Sequence, residues 1–212
     1  MTWQVPAALA LGAALGYGGG RLAPRWIVEK PMRSWEPYVL SAINGGLMAL
    51  LAMAHPLDAY FWQHLIFISV LTTASLVDLH DRIIPNELVL FGLAAGGALL
   101  LLAPYPDKTW LQALIGAGAG FGFMLVLALI APAGMGLGDV KLAAVIGLFL
   151  GFPWVGMGLV LAFLSGGLLS AVLLIARVVG RKNHIPFGPW LALGAILTIL
   201  YGARIWSWYW TY

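Results

Sequence analysis

Apolar runs of bilayer-spanning length recur along almost the whole of this chain. A transmembrane helix needs about 20 predominantly apolar residues, and eight segments approach or reach that length. They lie at about 3–20, 38–54, 59–77, 87–104, 110–131, 139–152, 154–176 and 189–206. Charged residues make up only 9% of the 212 residues, against about 25% in a soluble domain. The pattern predicts an all-α, polytopic membrane protein with about eight transmembrane helices, forming a single domain over residues 1–212.

The distribution of basic residues predicts the orientation of these helices. Placing the N-terminus outside puts nine of the 11 Lys and Arg residues on the inner side of the membrane. The nine are Arg21, Arg25, Lys30, Arg33, Arg82, Lys141, Arg177, Arg181 and Lys182, and the two outside are Lys108 and Arg204. Connections on the cytoplasmic side are enriched in Lys and Arg. We therefore predict a multi-pass protein of the cell (inner) membrane with its N-terminus outside.

Two segments at the edges of the apolar runs allow more than one interpretation. Residues 21–37 mix charges with proline and tryptophan, and we predict a connector that lies on the cytoplasmic surface, with a substrate-docking loop as the alternative. Residues 206–212 are Trp-Ser-Trp-Tyr-Trp-Thr-Tyr. This composition is typical of an aromatic belt at the membrane interface, and a carbohydrate- or peptide-binding tail is the alternative.

The composition excludes or disfavours several kinds of site. The absence of Cys excludes disulfides, thiolate catalysis and Cys-based zinc sites, and the four His residues do not form the His-Glu-x-x-His pattern of a zinc protease. We predict no nucleic-acid partner. The glycines of the fifth segment do not match a phosphate-binding loop. The four-residue spacing of Gly116 with Gly120, and of Gly118 with Gly122, instead predicts close helix packing.

Two aspartates at the ends of apolar segments are the strongest functional signal. Asp78 ends the third segment and Asp139 opens the sixth. Carboxylates in or beside lipid are costly and mark functional sites. The 19 residues from Ala59 to Val77 span about 28 Å as a helix, which places Asp78 near the cytoplasmic boundary. The segment after Asp139 is short for a membrane span, which predicts that Asp139 lies several ångströms below the cytoplasmic surface or that the bilayer thins there. Water would then reach it through a protein-lined cavity, and the glycines before it predict a place in the first helical turn.

A pair of carboxylates can share one proton, so that one acts as a base and the other as an acid. Such a pair can activate water against an amide bond. The alternatives remain open at this point. Asp78 and Asp139 could simply cap helical turns, Asp81 and Glu87 could be ordinary solvated charges, and intramembrane acids also serve ion and proton pathways in transporters. A purely structural membrane subunit would have no use for the acid at position 139.

Three blocks of sequence carry a resemblance to a known family. Residues 78–86 are Asp-Leu-His-Asp-Arg-Ile-Ile-Pro-Asn, residues 134–142 are Gly-Met-Gly-Leu-Gly-Asp-Val-Lys-Leu, and residues 185–195 are Ile-Pro-Phe-Gly-Pro-Trp-Leu-Ala-Leu-Gly-Ala. In this order the blocks resemble those of the type IV prepilin peptidases, membrane aspartic peptidases of the Gly-x-Gly-Asp type. The resemblance spans residues 78–195, a little over half of the chain.

The resemblance implies an endopeptidase that removes the short basic leader from type IV prepilins or pseudopilins at the cytoplasmic membrane face. It assigns the catalytic carboxylates to Asp78 and Asp139, and not to Asp81. The supporting motif residues are Gly136, Gly138, Lys141, Pro85, Pro186, Gly188 and Pro189. Lys141 could tune the pKa of Asp139 or bind substrate carbonyl groups. Alternatively, it could act as a basic anchor on the inner side of the membrane. No metal or cofactor is implied for the cleavage step.

The chain also departs from many members of that family. Residues 15–25 contain no Asn or Ser where the family has a Gly-Ser-(Phe)-Leu-Asn-like core, and the paired Cys-x-x-Cys motifs are missing. The members that have these elements also N-methylate the new N-terminus, using S-adenosylmethionine. The departures favour a peptidase-only or divergent member, for which S-adenosylmethionine is needed only if methyltransferase activity is present.

Overall fold

A computed structural model describes residues 3–29, 31–54, 57–102, 109–131, 135–176 and 186–210 of the chain. Some predictions of the sequence analysis therefore fall outside the described residues. These are Gly134 and Ile185 of the second and third blocks, and the basic residues Lys30, Lys108, Arg177, Arg181 and Lys182.

The described ranges contain eight α-helices and no strand, which confirms the all-α prediction. Their bounds are α1 Gln4–Leu22, α2 Glu36–Ala54, α3 Ala59–Asp81, α4 Asn86–Leu102, α5 Trp110–Ile130, α6 Leu137–Leu150, α7 Trp154–Ile175 and α8 Gly188–Trp210. A short 3₁₀ helix, Ala23–Arg25, directly follows α1. Helices are the form that an apolar chain takes in lipid, because each one satisfies its own backbone hydrogen bonds.

Five of the helices are long and apolar enough to cross a membrane within the described residues: α2, α3, α5, α7 and α8. Helix α4 is a shorter apolar helix, α1 has 19 residues and α6 has 14. These lengths and compositions are those of a polytopic membrane protein. Membrane crossing by α1, α4 and α6, and the position of the N-terminus, stay predictions.

The observed helix bounds differ from the predicted segments by four residues or fewer, and the largest differences are at the ends of α3 and α8. Helix α3 continues four residues beyond position 77, because its last turn finds partners for its polar side chains, as described below. Helix α6 begins at Leu137, so that Asp139 lies inside the first turn and not at its start. Helix α8 runs on to Trp210, which makes most of the aromatic C-terminus helical.

Residues Met1–Leu111 form the first of two compact units, and a line of glycines joins its first two helices. The buried residues of α1 are Ala8, Gly12, Gly16 and Gly20, one per turn. A Cβ atom at Gly16 would lie 2.6 Å from the carbonyl oxygen of Leu40 in α2. Small residues allow such close backbone approach between membrane helices, where lipid supplies no hydrophobic drive for association.

Side-chain hydrogen bonds connect the same helices near their middle. Ser41 Oγ donates to the carbonyl oxygen of Ala13 at 2.8 Å, and Asn44 Nδ2 donates to Ser69 Oγ at 2.9 Å. Asn44 is fully buried. These contacts tie α2 to both α1 and α3, which carries Asp78.

Residues Gln112–Tyr212 form the second compact unit, in which glycines again set the helix contacts. A Cβ at Gly116 would lie 2.4 Å from the carbonyl oxygen of Gly147 in α6, and one at Gly120 would lie 2.5 Å from that of Ala143. Close packing at this pair was therefore predicted correctly. Gly118 and Gly122 show no such packing, because no atom of another helix among the described residues of this unit lies within 4 Å of where their Cβ atoms would be.

Helices α7 and α8 of the second unit also pack at glycine. A Cβ at Gly194 in α8 would lie 2.2 Å from the carbonyl oxygen of Gly158 in α7. One at Gly166 would lie 2.9 Å from the indole ring of Trp190. Helix α8 also contacts α6, so the third sequence block and Asp139 belong to helices that pack together.

Two glycines of α1 provide a direct test of this packing. We expect Gly16→Ala to lower the stability by about 1–3 kcal/mol, because the added methyl group overlaps the backbone of α2. Gly18→Ala is the matched control, since no atom of another element among the described residues lies within 4 Å of its Cβ position and alanine favours the helix by about 0.5–1 kcal/mol. Thermal unfolding in detergent measures both variants. Equal effects at the two positions would contradict the glycine-packing account.

Candidate active site

Asp78 lies in the last turn of α3 and is buried, with 4% of its surface exposed. The helix ends three residues later, at Asp81, and the next residue, Arg82, has its backbone in the left-handed region with φ 56°. The N–H group of Arg82 donates to the carbonyl oxygen of Asp78 at 3.0 Å. A left-handed residue after the last turn is a common way to end a helix. Here it fixes Asp78 one turn before the chain reverses.

Pro85 shapes the tight connection from α3 to α4. It is buried, and its carbonyl oxygen accepts the N–H of Val89 at 3.2 Å, which is the first hydrogen bond at the start of α4. Proline fixes its own φ and biases the preceding residue towards an extended backbone. These restraints restrict the path that follows Asp78, which is consistent with a supporting role for Pro85 in the first block.

The last turn of α3 is joined to the first turn of α2 through His80. Its Nδ1 lies 2.9 Å from the carbonyl oxygen of Leu76, and its Nε2 lies 3.1 Å from Glu36 Oε2. Both side chains are largely buried, with exposed fractions of 14% and 12%. The sequence analysis did not single out Glu36, and the only available signal for His80 was its place inside the first block.

Asp81 joins the same turn of α3 to the segment that follows α1. Its carboxylate accepts hydrogen bonds from the backbone N–H groups of Val28 and Glu29, the latter at 3.2 Å. Asp81 is partly exposed, so it is a solvated charge that also accepts hydrogen bonds from two backbone N–H groups. No local sequence pattern indicates these two partners, because they depend on how residues 26–29 run through space.

Part of the predicted surface connector packs into the protein. Ala23, Ile27 and Val77 form a buried cluster, against which Trp26, Met32 and Leu76 pack. The prediction that residues 21–37 lie on the surface is thus wrong for Ala23 and Ile27, which are buried, whereas Pro24 and Arg25 are exposed. Residues 33–35 are exposed, as predicted. The buried part fixes the end of α3 beside Asp78.

Asp139 lies in the first turn of α6, as predicted, with 8% of its surface exposed. Its Oδ2 accepts the backbone N–H of Gly136 at 3.2 Å, and its own N–H donates to the Gly136 carbonyl oxygen at 3.1 Å. The aspartate therefore caps its helix, as the alternative proposed. Capping occupies one oxygen, however. Oδ1 is buried and accepts no hydrogen bond from the described residues.

The other residues of the second block surround this turn. Gly136 has φ −81° and ψ 149°, a conformation open to any residue, so the expected use of glycine for an unusual backbone does not apply there. A Cβ at Gly136 would meet Asp139 Oδ2 at 3.6 Å, an ordinary contact. Gly138 and Lys141 are partly buried, and Lys141 lies two residues beyond Asp139 on α6.

The third block forms the start of α8. The carbonyl oxygen of Phe187 accepts the N–H groups of Trp190 and Leu191 at 3.0 and 3.1 Å. Pro189 lies in the first turn, where its missing N–H costs no helical hydrogen bond. Gly188 is buried, and Pro186 is partly buried. The ring of Phe187 packs on that of Phe163 in α7, with 5.0 Å between centroids. These residues shape the entry to α8.

The predicted site residues fall into two groups, one in each compact unit. Asp78 and Pro85 belong to the first unit. The second unit holds Gly136, Gly138, Asp139, Lys141, Pro186, Gly188 and Pro189. Direct contact is seen between Gly136 and Asp139. Each unit thus has one buried aspartate in the terminal turn of a helix. With its apolar helices and the Gly-x-Gly-Asp frame of residues 136–139, the chain is a polytopic membrane protein of the Gly-x-Gly-Asp type.

Comparison with known proteins identifies the family. The chain matches the type IV leader peptidase family over residues 65–205, and it belongs to that family. It is 37% identical over 167 residues to the prepilin leader peptidase/N-methyltransferase of Bacillus subtilis (strain 168), which covers 79% of this chain and 66% of that protein. It is 33% identical over 145 residues to the protein of the same name from Aeromonas salmonicida (strain A449), covering 66% and 49%.

A relative in Pseudomonas aeruginosa has the same name and is 32% identical over 152 residues, covering 64% of this chain and 48% of that protein. The chain thus spans about half to two thirds of the length of the curated relatives it matches. No solved structure matches the chain significantly. The family membership confirms the resemblance drawn from the three sequence blocks.

The link between Asp81 and residues 28–29 can be tested on its own. We expect Asp81→Ala to speed amide hydrogen exchange at Val28 and Glu29, because both N–H groups lose their acceptor, at about 1 kcal/mol for each bond. Glu87→Ala is a suitable control, since Glu87 is an exposed acid in the first turn of α4. Exchange measured by mass spectrometry reports on the segment. Unchanged exchange in Asp81→Ala would show that the link contributes nothing to its order.

Proposed function

We propose that this chain is a membrane-embedded aspartic endopeptidase that removes the short basic leader from type IV prepilins or pseudopilins. The family membership supports a peptidase of prepilin leaders. The observation that carries the choice of residues is the burial of Asp78 and Asp139 in terminal helical turns, with Oδ1 of Asp139 left without a hydrogen bond from the described residues. A buried acid with a spare oxygen is suited to exchange a proton with water.

In the proposed mechanism the two carboxylates hold one proton between them. The ionised group accepts a proton from water while the water oxygen attacks the carbonyl carbon of the scissile peptide. The protonated group donates its proton to the carbonyl oxygen. As the C–N bond breaks, the leaving amine takes the proton that the first carboxylate had accepted from water, and the second carboxylate regains a proton from a hydroxyl of the intermediate. The chemistry needs no metal or other cofactor. Capping through Oδ2 would hold the Asp139 carboxylate in one orientation while Oδ1 serves the reaction.

The proposed setting is the cytoplasmic face of the cell membrane. The asymmetry of Lys and Arg supports an N-terminus outside and both aspartates on the inner side. The partners are then the bilayer and a prepilin or pseudopilin substrate. N-methylation is left out of the proposal, although the relatives' name includes it. S-adenosylmethionine would be required only if the chain carries out that second reaction.

The catalytic assignment is tested with three matched Asp→Asn variants. We expect Asp78→Asn and Asp139→Asn each to abolish cleavage, with losses of about 10³-fold or more, because an amide cannot exchange the proton. Asp81→Asn should retain activity, since an amide oxygen can still accept the hydrogen bonds of residues 28–29. The assay follows the size shift of a prepilin incubated with purified protein in lipid. Retained activity in either of the first two variants would overturn the assignment.

The shared proton also predicts how cleavage depends on pH. Activity should be maximal where one carboxylate is protonated and the other ionised, and it should fall on both sides of that optimum. The acidic limb arises when both groups are protonated, and the basic limb when both are ionised. Initial rates between acidic and alkaline pH, with folding checked at each value, give the profile. A profile without both limbs would contradict the proton-sharing pair.

A further inference from the structure

A second site of a different kind lies in the first unit, where α1 ends and α2 begins. A cavity of about 720 Å³ opens there, with walls that include Tyr17, Arg21, Arg33, Trp35 and Tyr38. Its volume is within the range of about 300–1,000 Å³ that small-molecule sites occupy. The helices meet closely at its base, because a Cβ at Gly20 would lie 2.7 Å from Cα of Pro37. None of these residues belongs to the three sequence blocks.

Arg21 and Arg33 bring positive charge to the wall of the cavity. Among the described residues, neither Arg21 nor Arg33 lies within 4 Å of a carboxylate. The guanidinium carbon of Arg33 lies 5.9 Å from the ring centre of Trp35, a distance at which cation–π attraction holds the group in place. Guanidinium groups match the geometry of phosphate oxygens and bind them through paired hydrogen bonds. A phosphate group is therefore the ligand that best complements this charge.

Aromatic residues of the kind found at membrane–water interfaces line the cavity. Trp and Tyr concentrate at membrane–water interfaces, and the rings of Tyr17 and Tyr38 lie 5.4 Å apart, between α1 and α2. Exposed small residues continue away from the cavity on the same helix faces. Ala14 and Ala10 lie one and two turns before Tyr17 on α1, and Ala42 lies one turn after Tyr38 on α2. This track of small residues gives room for acyl chains beside the helices.

We propose that this cavity binds the phosphate-bearing headgroup of an anionic phospholipid, with Arg21 and Arg33 on the phosphate and the acyl chains along α1 and α2. The same chemistry would admit free phosphate, but the apolar track favours the lipid. A basic leader peptide does not suit a cavity with two unpaired arginines. The site is independent of the proposed peptidase activity and does not involve Asp78 or Asp139.

The test uses the full chain purified in detergent, with dioleoyl phosphatidylglycerol as the probe. Native mass spectrometry counts bound lipid during a titration of the wild type, of the double variant R21Q/R33Q and of R25Q. Arg25 is the matched control, because it is exposed in the 3₁₀ helix beside the cavity and does not line it. Dioleoylglycerol, which has the same chains without phosphate, is the control lipid. Thermal unfolding without lipid confirms that the variants are folded.

We expect the wild type to bind one phosphatidylglycerol, the double variant to bind it about tenfold more weakly or worse, and R25Q to bind like the wild type. Equal binding by the wild type and the double variant would overturn the proposal. So would an equal loss in R25Q, which would indicate general surface charge, or binding of dioleoylglycerol as tight as that of the phospholipid. Displacement of the lipid by inorganic phosphate at equal concentration would show that the cavity binds anions in general. It would overturn the proposal that the cavity binds a phospholipid.

Discussion

Backbone contact at glycine is the constraint on which the rest of this structure depends. In lipid, burial of apolar side chains does little to bring helices together, and close packing has to supply the attraction. Gly12, Gly16 and Gly20 bring α1 against α2, and Gly116 and Gly120 bring α5 against α6. The second of these contacts holds the helix whose first turn contains Asp139. A larger side chain at these positions would therefore act first on helix packing, by separating the two helices, and not on a functional group directly.

The polar groups of interest lie where helices end, and the chemistry of membranes explains why. Inside a helix, every backbone N–H and C=O group is hydrogen-bonded within the helix. The end turns have N–H and C=O groups that lack such partners and can bind polar side chains. Asp139 uses the start of α6, where Gly136 supplies an N–H. The end of α3 gathers Asp78, His80 and Asp81, and the last two bind to neighbouring segments. The buried Asp78 is therefore held on a turn that is fixed from two directions.

Much of this arrangement could be predicted from the sequence, because hydropathy reports directly on membrane helices. All eight segments correspond to helices, and the position of Asp139 in the first turn of α6 followed from the glycines before it. The spacing of glycines was less informative. Gly116 with Gly120 and Gly118 with Gly122 share one spacing, but they lie on different faces of α5, and only the first pair contacts another helix within its unit. Spacing alone does not tell which face is covered.

Other features depended on the path of the chain through space. The partners of Asp81 lie more than 50 residues away in sequence, at Val28 and Glu29, so no local pattern could indicate them. The pairing of Glu36 with His80 has the same origin. For Arg21 and Arg33, the sequence predicts the inner side of the membrane, whereas the cavity that they line depends on how the end of α1 lies beside the start of α2. The family resemblance offered no help there, because its blocks begin at Asp78.

The left-handed residue at the end of α3 has a consequence for how the gene can tolerate insertions and deletions. Because Arg82 ends the helix at a fixed distance from Asp78, one residue inserted between Ala59 and Val77 would turn every position before it by about 100° relative to this end. Either Asp78 or the packed face of α3 would then point the wrong way. An insertion after α4, in contrast, leaves that helical phase untouched. Natural variation in length should therefore collect beyond α4 and be absent within α3.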